Sequence, residues 1–475
     1  MKKLLVLSLS PLDRDPRVDR QIKTLYKEYD LIVAGLTPPG GFDYIPFISL
    51  NKKDYVKPGY RIGNSVGTPL FGETTLPADK KCSRIIGLRL WLQWYLPALV
   101  PPAKAFKRKF YKSMRFILDG LRRGRQAILG GGHSCTSLDG GSGRNCNATK
   151  PEWYESFHFD LARERILACG PYDAILANDL TGLVLVRRWG LEAPLIYDAH
   201  EYSPGQYTPD AAGREKAEQA ERFLRENLKY CDAVMTVCEG IAEEYAREFG
   251  IEKPVVVTNA TRYRELTPVI CMNDTIRLVH HGVAAAQRKI ENMIDAVILA
   301  DSRYELDLFL IHKDTAYFES LKARASACPR IRFLEPMPMQ EIAERLNVYD
   351  AGFYILEPVN FNHLHALPNK LFEFVQARIG IIIGPSPEMA RSVTKYQLGA
   401  VADDFTPWAM ARLLASISRS DINRFKENAH RHAFELSGEV QAAIISELVR
   451  KTIDRSKSVE ESKIQESAGS VRTVS

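Results

Sequence analysis

Lys3 to Leu9 (KLLVLSL) is a continuous apolar run, the pattern of a strand buried on both faces. The period then changes. Val18, Ile22 and Leu25 recur at helical spacing, behind Asp15 as N-cap and Pro16 in the first turn. Tyr29 to Gly35 (YDLIVAG) is the next strand. Strand, helix and strand in this order predict parallel pairing with helices on both sheet faces. The alternation resumes at Trp153, with strands at YDAILAN (172–178), APLIYDAHEYS (193–203), DAVMTVC (232–238) and KPVVVTNA (253–260). An irregular stretch over 260–275 contains Pro268 and reads as a linker. A second series begins at Ile276, with strands at IRLVHHG, ELDLFLI, IRFLEP, DAGFYIL, IGIIIG and LGAVA separated by helical segments. The expected fold is α/β, two doubly wound Rossmann-like domains facing across a cleft. They are expected over 1–265 and 276–435, followed by a helix over 436–455 and a disordered polar tail over 456–475.

The first domain carries an insert at about 51–152 that breaks the alternation. The net charge of +6 is concentrated there: residues 80–125 hold thirteen Lys or Arg and one acid, Asp119, for +12, which leaves the rest at −6. Within 84–125, Trp91, Trp94 and Tyr95 lie among Leu, Ile, Lys and Arg. That composition suits an anionic membrane surface, with aromatics at headgroup depth and cations toward the lipid. The alternative is a pair of amphipathic helices packed on the sheet with a solvated basic face. Arg89, Gln93 and Pro97 argue against full spanning, and the Trp/Leu content favours lipid over nucleic acid. Residues 129–150 are Gly/Ser-rich, and His133, Cys135 and Cys146 lack a fourth ligand at metal-binding spacing. Eight cysteines without a CxxC pattern fit a reducing compartment. The apolar stretch from Leu4 to Leu9 is short for a signal peptide and runs into Asp13, Arg14 and Asp15, so a buried first strand explains it better. The expected location is cytoplasmic, peripheral on the inner face of the cell membrane.

Ligands of doubly wound sheets sit at the carboxyl ends of the strands, which directs attention to five places. Asp13 and Arg17 follow the first strand. Asn178 and Asp179 follow the strand at 172–178, and Asp179 reads equally as the cap of a helix from Thr181 or as a contact to a substrate hydroxyl. Asp198, His200 and Glu201 place ionisable groups at one strand end, where an imidazole can meet a sugar hydroxyl. After the first strand of the second series come Gly282 and then Arg288 and Lys289, two cations near a helix start, suited to a pyrophosphate. Leu367, Pro368, Asn369 and Lys370 open a helix whose free amides can cradle phosphate. Glu373 lies further along it, placed to accept from ribose hydroxyls. No G-x-G-x-x-G follows any strand, which disfavours a dinucleotide-dependent dehydrogenase.

SPLDRDPRVDRQ (10–21), YDAHEYS (197–203), TVCEGIAEEYAREFGIEKPVVVTNA (236–260), HHG…RKIENMIDAV (280–297) and LPNKLFEFVQARIGIIIG (367–384) together resemble a GT-B glycosyltransferase of the retaining family 4 type. The resemblance covers about 1–50 and 153–440. It implies sugar transfer from a nucleotide-sugar, retaining configuration, without an obligatory metal or cofactor; with the segment at 84–125 holding the chain at a membrane, the expected acceptor is lipid-linked or a polysaccharide. Arg288 and Lys289 match the basic pair at the donor diphosphate, Glu373 the second glutamate of the E-x7-E motif, and His200 the sugar-contacting histidine. The first glutamate would fall at position 365, which is His365, and the arginine usual after the strand-end glycine is Val283. A non-catalytic, membrane-recruited scaffold of the same shape and a nucleotide-sugar epimerase remain as alternatives.

Overall fold

The computed structural model describes residues 1–54, 157–207 and 210–471. The basic, aromatic segment at 84–125 and the Gly/Ser-rich stretch at 129–150 lie outside the described residues.

The N-terminal lobe is built from β1 (Lys3–Ser8), α1 (Pro16–Leu25), β2 (Asp30–Gly35), β3 (Phe47–Ser49), α2 (Phe157–Cys169), β4 (Ala174–Asn178), α3 (Asp179–Trp189), β5 (Leu195–Ala199), α4 (Ala211–Asn227), β6 (Ala233–Thr236), α5 (Glu239–Phe249) and β7 (Val255–Val256). Its strands pair in parallel in the order β3-β2-β1-β4-β5-β6-β7. The central strand β1 sits between β2 and β4, with Leu5 opposite both Ile32 and Ile175. A strand paired on both edges and covered on both faces has no polar side to show, which is why β1 reads as an unbroken apolar run. β3 was not expected. Three residues at a sheet edge are too few to carry a periodic signal.

The C-terminal lobe is built from β8 (Ile276–Ala284), α6 (Ile290–Leu299), β9 (Tyr304–His312), α7 (Thr315–Ala325), β10 (Ile331–Leu334), α8 (Ile342–Leu346), β11 (Ala351–Tyr354), α9 (Phe361–Leu364), α10 (Asn369–Gln376), β12 (Gly380–Ile383), α11 (Pro387–Lys395), β13 (Gly399–Val401), α12 (Pro407–Ser416) and α13 (Arg419–His432). Its parallel order is β10-β9-β8-β11-β12-β13. Strand order reverses between β1 and β4 in one sheet and between β8 and β11 in the other, so each lobe opens its crevice at these points.

The chain's last helix, α14 (Gly438–Val471), differs from expectation. The segment foreseen as a disordered tail from 456 is helical through Val471, continuous with the helix expected at 436–455. Its Glu, Lys, Gln, Ser and Ala residues are polar but tolerate or favour helix, and the buried part upstream supplies the nucleus that an isolated polar segment lacks. The helix returns to the N-terminal lobe. The Gly438 N–H donates to the Thr261 carbonyl at 2.7 Å, and the Thr258 N–H donates to Gln441 Oε1 at 2.8 Å. Ile445, Val449 and Ile453 are buried with Leu4, Val6, Val18 and Ile22 on one face of the N-terminal sheet. The two lobes are thus joined by the crossover at 257–264 and again by the return at 437–438.

Ile445 is 1 % exposed. Ile445→Ala should therefore lower unfolding stability by about 2–5 kcal/mol. Lys457→Ala, on the exposed polar stretch, should change it by less than about 0.5 kcal/mol. Urea denaturation of the two variants checks the contrast, and equal midpoints would refute the docking of α14.

Candidate functional site

In the N-terminal lobe, the ends of β4 and β5 and the start of α1 converge. Asp15 caps α1 by accepting from the Arg17 and Val18 N–H groups, each at 3.1 Å. That cap turns Arg17 inward, where its guanidinium grips Asp198 in fork geometry: Nε to Oδ2 at 2.8 Å and Nη2 to Oδ1 at 2.6 Å. Arg17 Nη1 donates to the Val257 carbonyl at 2.6 Å, and Gln21 also donates to Asp198. Arg17 and Asp198 are buried. Burial opposes the Asp198 charge, but Arg17 and then His200 overcome it and hold the carboxyl well below its usual range.

His200 stands between carboxylates. Its Nδ1 is 3.3 Å from Asp179 Oδ2, and its Nε2 is 3.3 Å from Asp198 Oδ2 and 3.0 Å from Asn178 Oδ1. Burial disfavours the imidazolium, but Asp179 and Asp198 outweigh it and raise the pKa above the ordinary histidine value. Asp179 does not cap a helix from Thr181. It is the first residue of α3 itself, at φ 59°, in the left-handed region. A non-glycine residue there carries strain, and here that backbone presents the carboxylate to His200. Asn178 is fully buried, so its role is to hold His200 rather than to meet solvent. Asp13 is exposed and accepts from the Thr37 hydroxyl.

In the C-terminal lobe, Gly282 lies two residues before the end of β8, with φ 125°. A Cβ there would lie 2.8 Å from Lys370 Nζ and 3.6 Å from Arg288 Nη1, so two cations converge on a backbone position that only glycine leaves open. Lys370 is buried, donates to the His281 carbonyl at 2.6 Å and sits over the Tyr354 ring at 5.2 Å. Burial pushes its pKa down to about 8; Glu373 works against that shift, and Arg288 adds to it. Glu373 lies on α10 with Oε2 3.2 Å from His281 Nε2. Burial opposes its charge, but His281 and Lys370 outweigh burial and lower its pKa. No side chain caps the start of α10 at Pro368, behind the buried Leu367.

Lys289 does not join this pair. It adopts φ 46° ahead of α6 and forms an ion pair with Glu357 at 2.6 Å. Arg288 and Lys370, rather than Arg288 and Lys289, are the cations that meet at Gly282. The reason is local: Arg288 ends a 3-10 turn over Ala286–Arg288, and the left-handed residue after it sends the next side chain elsewhere.

The lobes meet through residues that the sequence pattern does not single out. Asn362 of α9 accepts from the Tyr202 N–H at 3.0 Å and donates to the Tyr202 carbonyl at 3.1 Å and to Glu201 Oε2 at 3.2 Å. Its neighbour His363 feels Arg288, which adds to burial in keeping that imidazole neutral. The short segment 360–365 therefore lies between the His200 cluster and the Arg288–Lys370 pair. Gly240, at the start of α5, donates its N–H to Glu388 of α11 at 3.1 Å, and His365 packs against it with Nδ1 3.4 Å from Glu388 Oε1. The only sequence signal for these contacts is the LPNK loop itself, since each is a long-range pairing of polar residues.

A cavity of about 1060 Å³ opens beside the site, between α1, the 259–264 crossover, α14 and the C-terminal lobe. Asn369 and Glu373 line it on one side and Arg17 and Arg20 on the other, while His200, Gly282, Arg288 and Lys370 do not line it. Among the described residues, no cluster of three or more His, Cys, Asp or Glu is arranged to hold a metal ion.

No protein-family model and no curated protein matches the chain. Solved structures do. Sucrose-phosphate synthase from Thermosynechococcus elongatus superimposes with a TM-score of 0.60 at 13% identity, over 96% of this chain and 100% of that one. HepE from Anabaena, in complex with UDP-glucose, gives 0.58 at 12% identity, over 95% and 100%. S. aureus TarM, in complex with fondaparinux, a GlcNAc-glycerol and UDP, gives 0.50 at 9% identity, over 62% of this chain and 59% of that one. The chain has the GT-B fold. Both GT-B lobes are present, and the residues described above occupy the facing strand ends of the two sheets. Among the described residues, no helix is long and apolar enough to cross a membrane.

A Cβ on Gly240 would lie 2.0 Å from His365 Nδ1 and 2.7 Å from Glu388 Oε1. Gly240→Ala should cost about 1–3 kcal/mol through overpacking at the lobe contact. His365→Ala in the same chain should recover most of that loss. Chemical denaturation of the single and double variants checks both, and wild-type stability in Gly240→Ala would refute the contact.

Proposed function

We propose that the protein transfers a sugar from a nucleotide-sugar to a lipid-linked or glycan acceptor at the cytosolic face of a membrane, with retention of configuration. The observation that carries this reading is the convergence of Arg288 and Lys370 on Gly282, with Glu373 nearby. Two cations held over an open backbone position beside an uncapped helix start suit a diphosphate. The departing group of a nucleotide-sugar is a diphosphate, and its charge grows as the bond to the sugar breaks. Arg288, Lys370 and the first amides of α10 offset that charge without a metal, and Glu373 accepts from ribose hydroxyls.

His200, held between Asp179 and Asp198, faces the sugar from the opposite lobe. In the retaining step the C1–O bond to the diphosphate breaks and the acceptor oxygen bonds to C1 on the same face. The acceptor proton passes to the departing phosphate oxygen. The lobe contacts through Asn362 and Glu388 exclude water and limit hydrolysis. Asp13 and Glu201, the exposed carboxylates at the strand ends of the N-terminal lobe, are the acceptor-side candidates. Placement on the membrane rests on the composition of residues 84–125.

A panel of UDP- and GDP-sugars with a lipid-extract acceptor tests the reading. Arg288→Ala should lower kcat/KM about 100-fold or more, and His200→Ala about tenfold or more. Full activity in both variants would remove them from the reaction. Donor binding should also depend on pH. Lys370 in the free protein titrates at about 8, and a bound diphosphate favours its charged form. Affinity for a nucleoside diphosphate is therefore full below that value and falls as pH rises through it. Calorimetry at pH 7 and pH 9 reads the change, which Lys370→Arg should flatten; a pH-independent wild type would contradict it.

A further inference from the structure

The cavity between α1 and α14 has a second end, away from Glu373. α1 presents Arg20 and Lys23 to it, three residues apart and so on one helical face, and Lys27 follows in the turn after the helix. α14 presents Ala442, Ala443 and Ser446, whose small side chains leave the space open. The ten residues of α1 set its length at about 15 Å.

The charges along this groove are unequal in their partners. Asp19 is paired with Lys23 at 2.6 Å, Glu447 with Arg450 at 2.8 Å, and Glu439 accepts from the Tyr263 N–H at 2.7 Å. Arg20 has no carboxylate partner among the described residues. Its terminal nitrogens donate to the Ala260 and Thr258 carbonyls, while its Nε is buried without a partner. Lys27 is exposed and forms no ion pair among the described residues. Glu28 accepts from the Ser446 hydroxyl at 3.1 Å, so these carboxylates have partners, whereas Lys27 has no counter-charge among the described residues and the basic side chains lining the groove outnumber the acidic ones, which favours an anionic ligand.

The far end is aromatic. Tyr26 and Phe42 line the cavity with ring centroids 5.1 Å apart. Tyr44 packs edge-on against both, at 6.1 and 5.8 Å, and is 64% exposed. Aromatic faces beside fixed polar groups are the make-up of a site for a hydrophilic ring compound.

We propose that this groove binds an acidic oligosaccharide, the extended part of the acceptor. A carboxylate of it meets Lys27, and one sugar ring rests on the Tyr26–Phe42–Tyr44 cluster. The inference deepens the glycosyl-transfer reading and rests on it. Its reach is several sugar units, so the preferred acceptor is a chain and not a monosaccharide.

Titration calorimetry with a hexameric oligogalacturonate and with maltohexaose tests it, alongside UDP on the same protein. The acidic hexamer should bind at least tenfold more tightly than the neutral one at low salt, and more weakly as salt rises. Lys27→Glu and Phe42→Ala should each weaken the acidic hexamer several-fold and leave UDP binding unchanged. Equal affinity for the two hexamers, no binding of either, or unaltered binding in both variants would overturn the groove assignment. Hexamer binding by a protein that fails to bind UDP or any GDP- or UDP-sugar would support the groove while removing the donor reading.

Discussion

The buried pair between Arg17 and Asp198 organises the N-terminal half of the site. One guanidinium joins the start of α1, the end of β5 and the carbonyl of Val257 on the crossover to the second lobe. Asp198 then touches His200. Removing one partner of a buried pair leaves the other uncompensated, at about 3–5 kcal/mol, so the cluster is built to stay whole. Its geometry comes from a local feature, the Asp15 cap that sets the first turn of α1 and points Arg17 inward.

The C-terminal half follows a different rule. There, positive charge is concentrated and left short of counter-charge. Lys370 bonds to a carbonyl, His281 is kept neutral chiefly by burial and by the nearby lysine, and Arg288 closes over the same glycine. A buried ammonium with a depressed pKa is costly to the free protein, and that cost is offset when an anion arrives. One lobe therefore holds an imidazole, His200, satisfied between carboxylates, and the other holds cations short of counter-charge. Segment 360–365 and Glu388 hold the two together across the cleft.

Much of this fold is written in apolar runs. The strands of both sheets were legible because central parallel strands must be apolar throughout, and the caps and closing glycines of α1, α3 and α5 marked their helices. Long-range consequences were not legible. The docking of α14 on the N-terminal lobe depends on Ile445, Val449 and Ile453 finding β1 and α1 at the other end of the sequence, together with β4 and β5. The direction of Lys289 depends on one left-handed residue and on Glu357, far along the chain. Asp179 read equally as a helix cap or a substrate contact because its left-handed backbone has no sequence signature in a non-glycine residue. Candidate residues were found by their position after strands, whereas their partners required the folded chain.

The most direct test of the central claim is a crystal structure of the protein with a nucleoside diphosphate bound. The diphosphate should lie over Gly282 between Arg288 and Lys370, with the ribose within hydrogen-bond distance of Glu373 and His200 facing it from the other lobe. A nucleotide bound elsewhere, with Arg288 and Lys370 free of phosphate, would contradict the account.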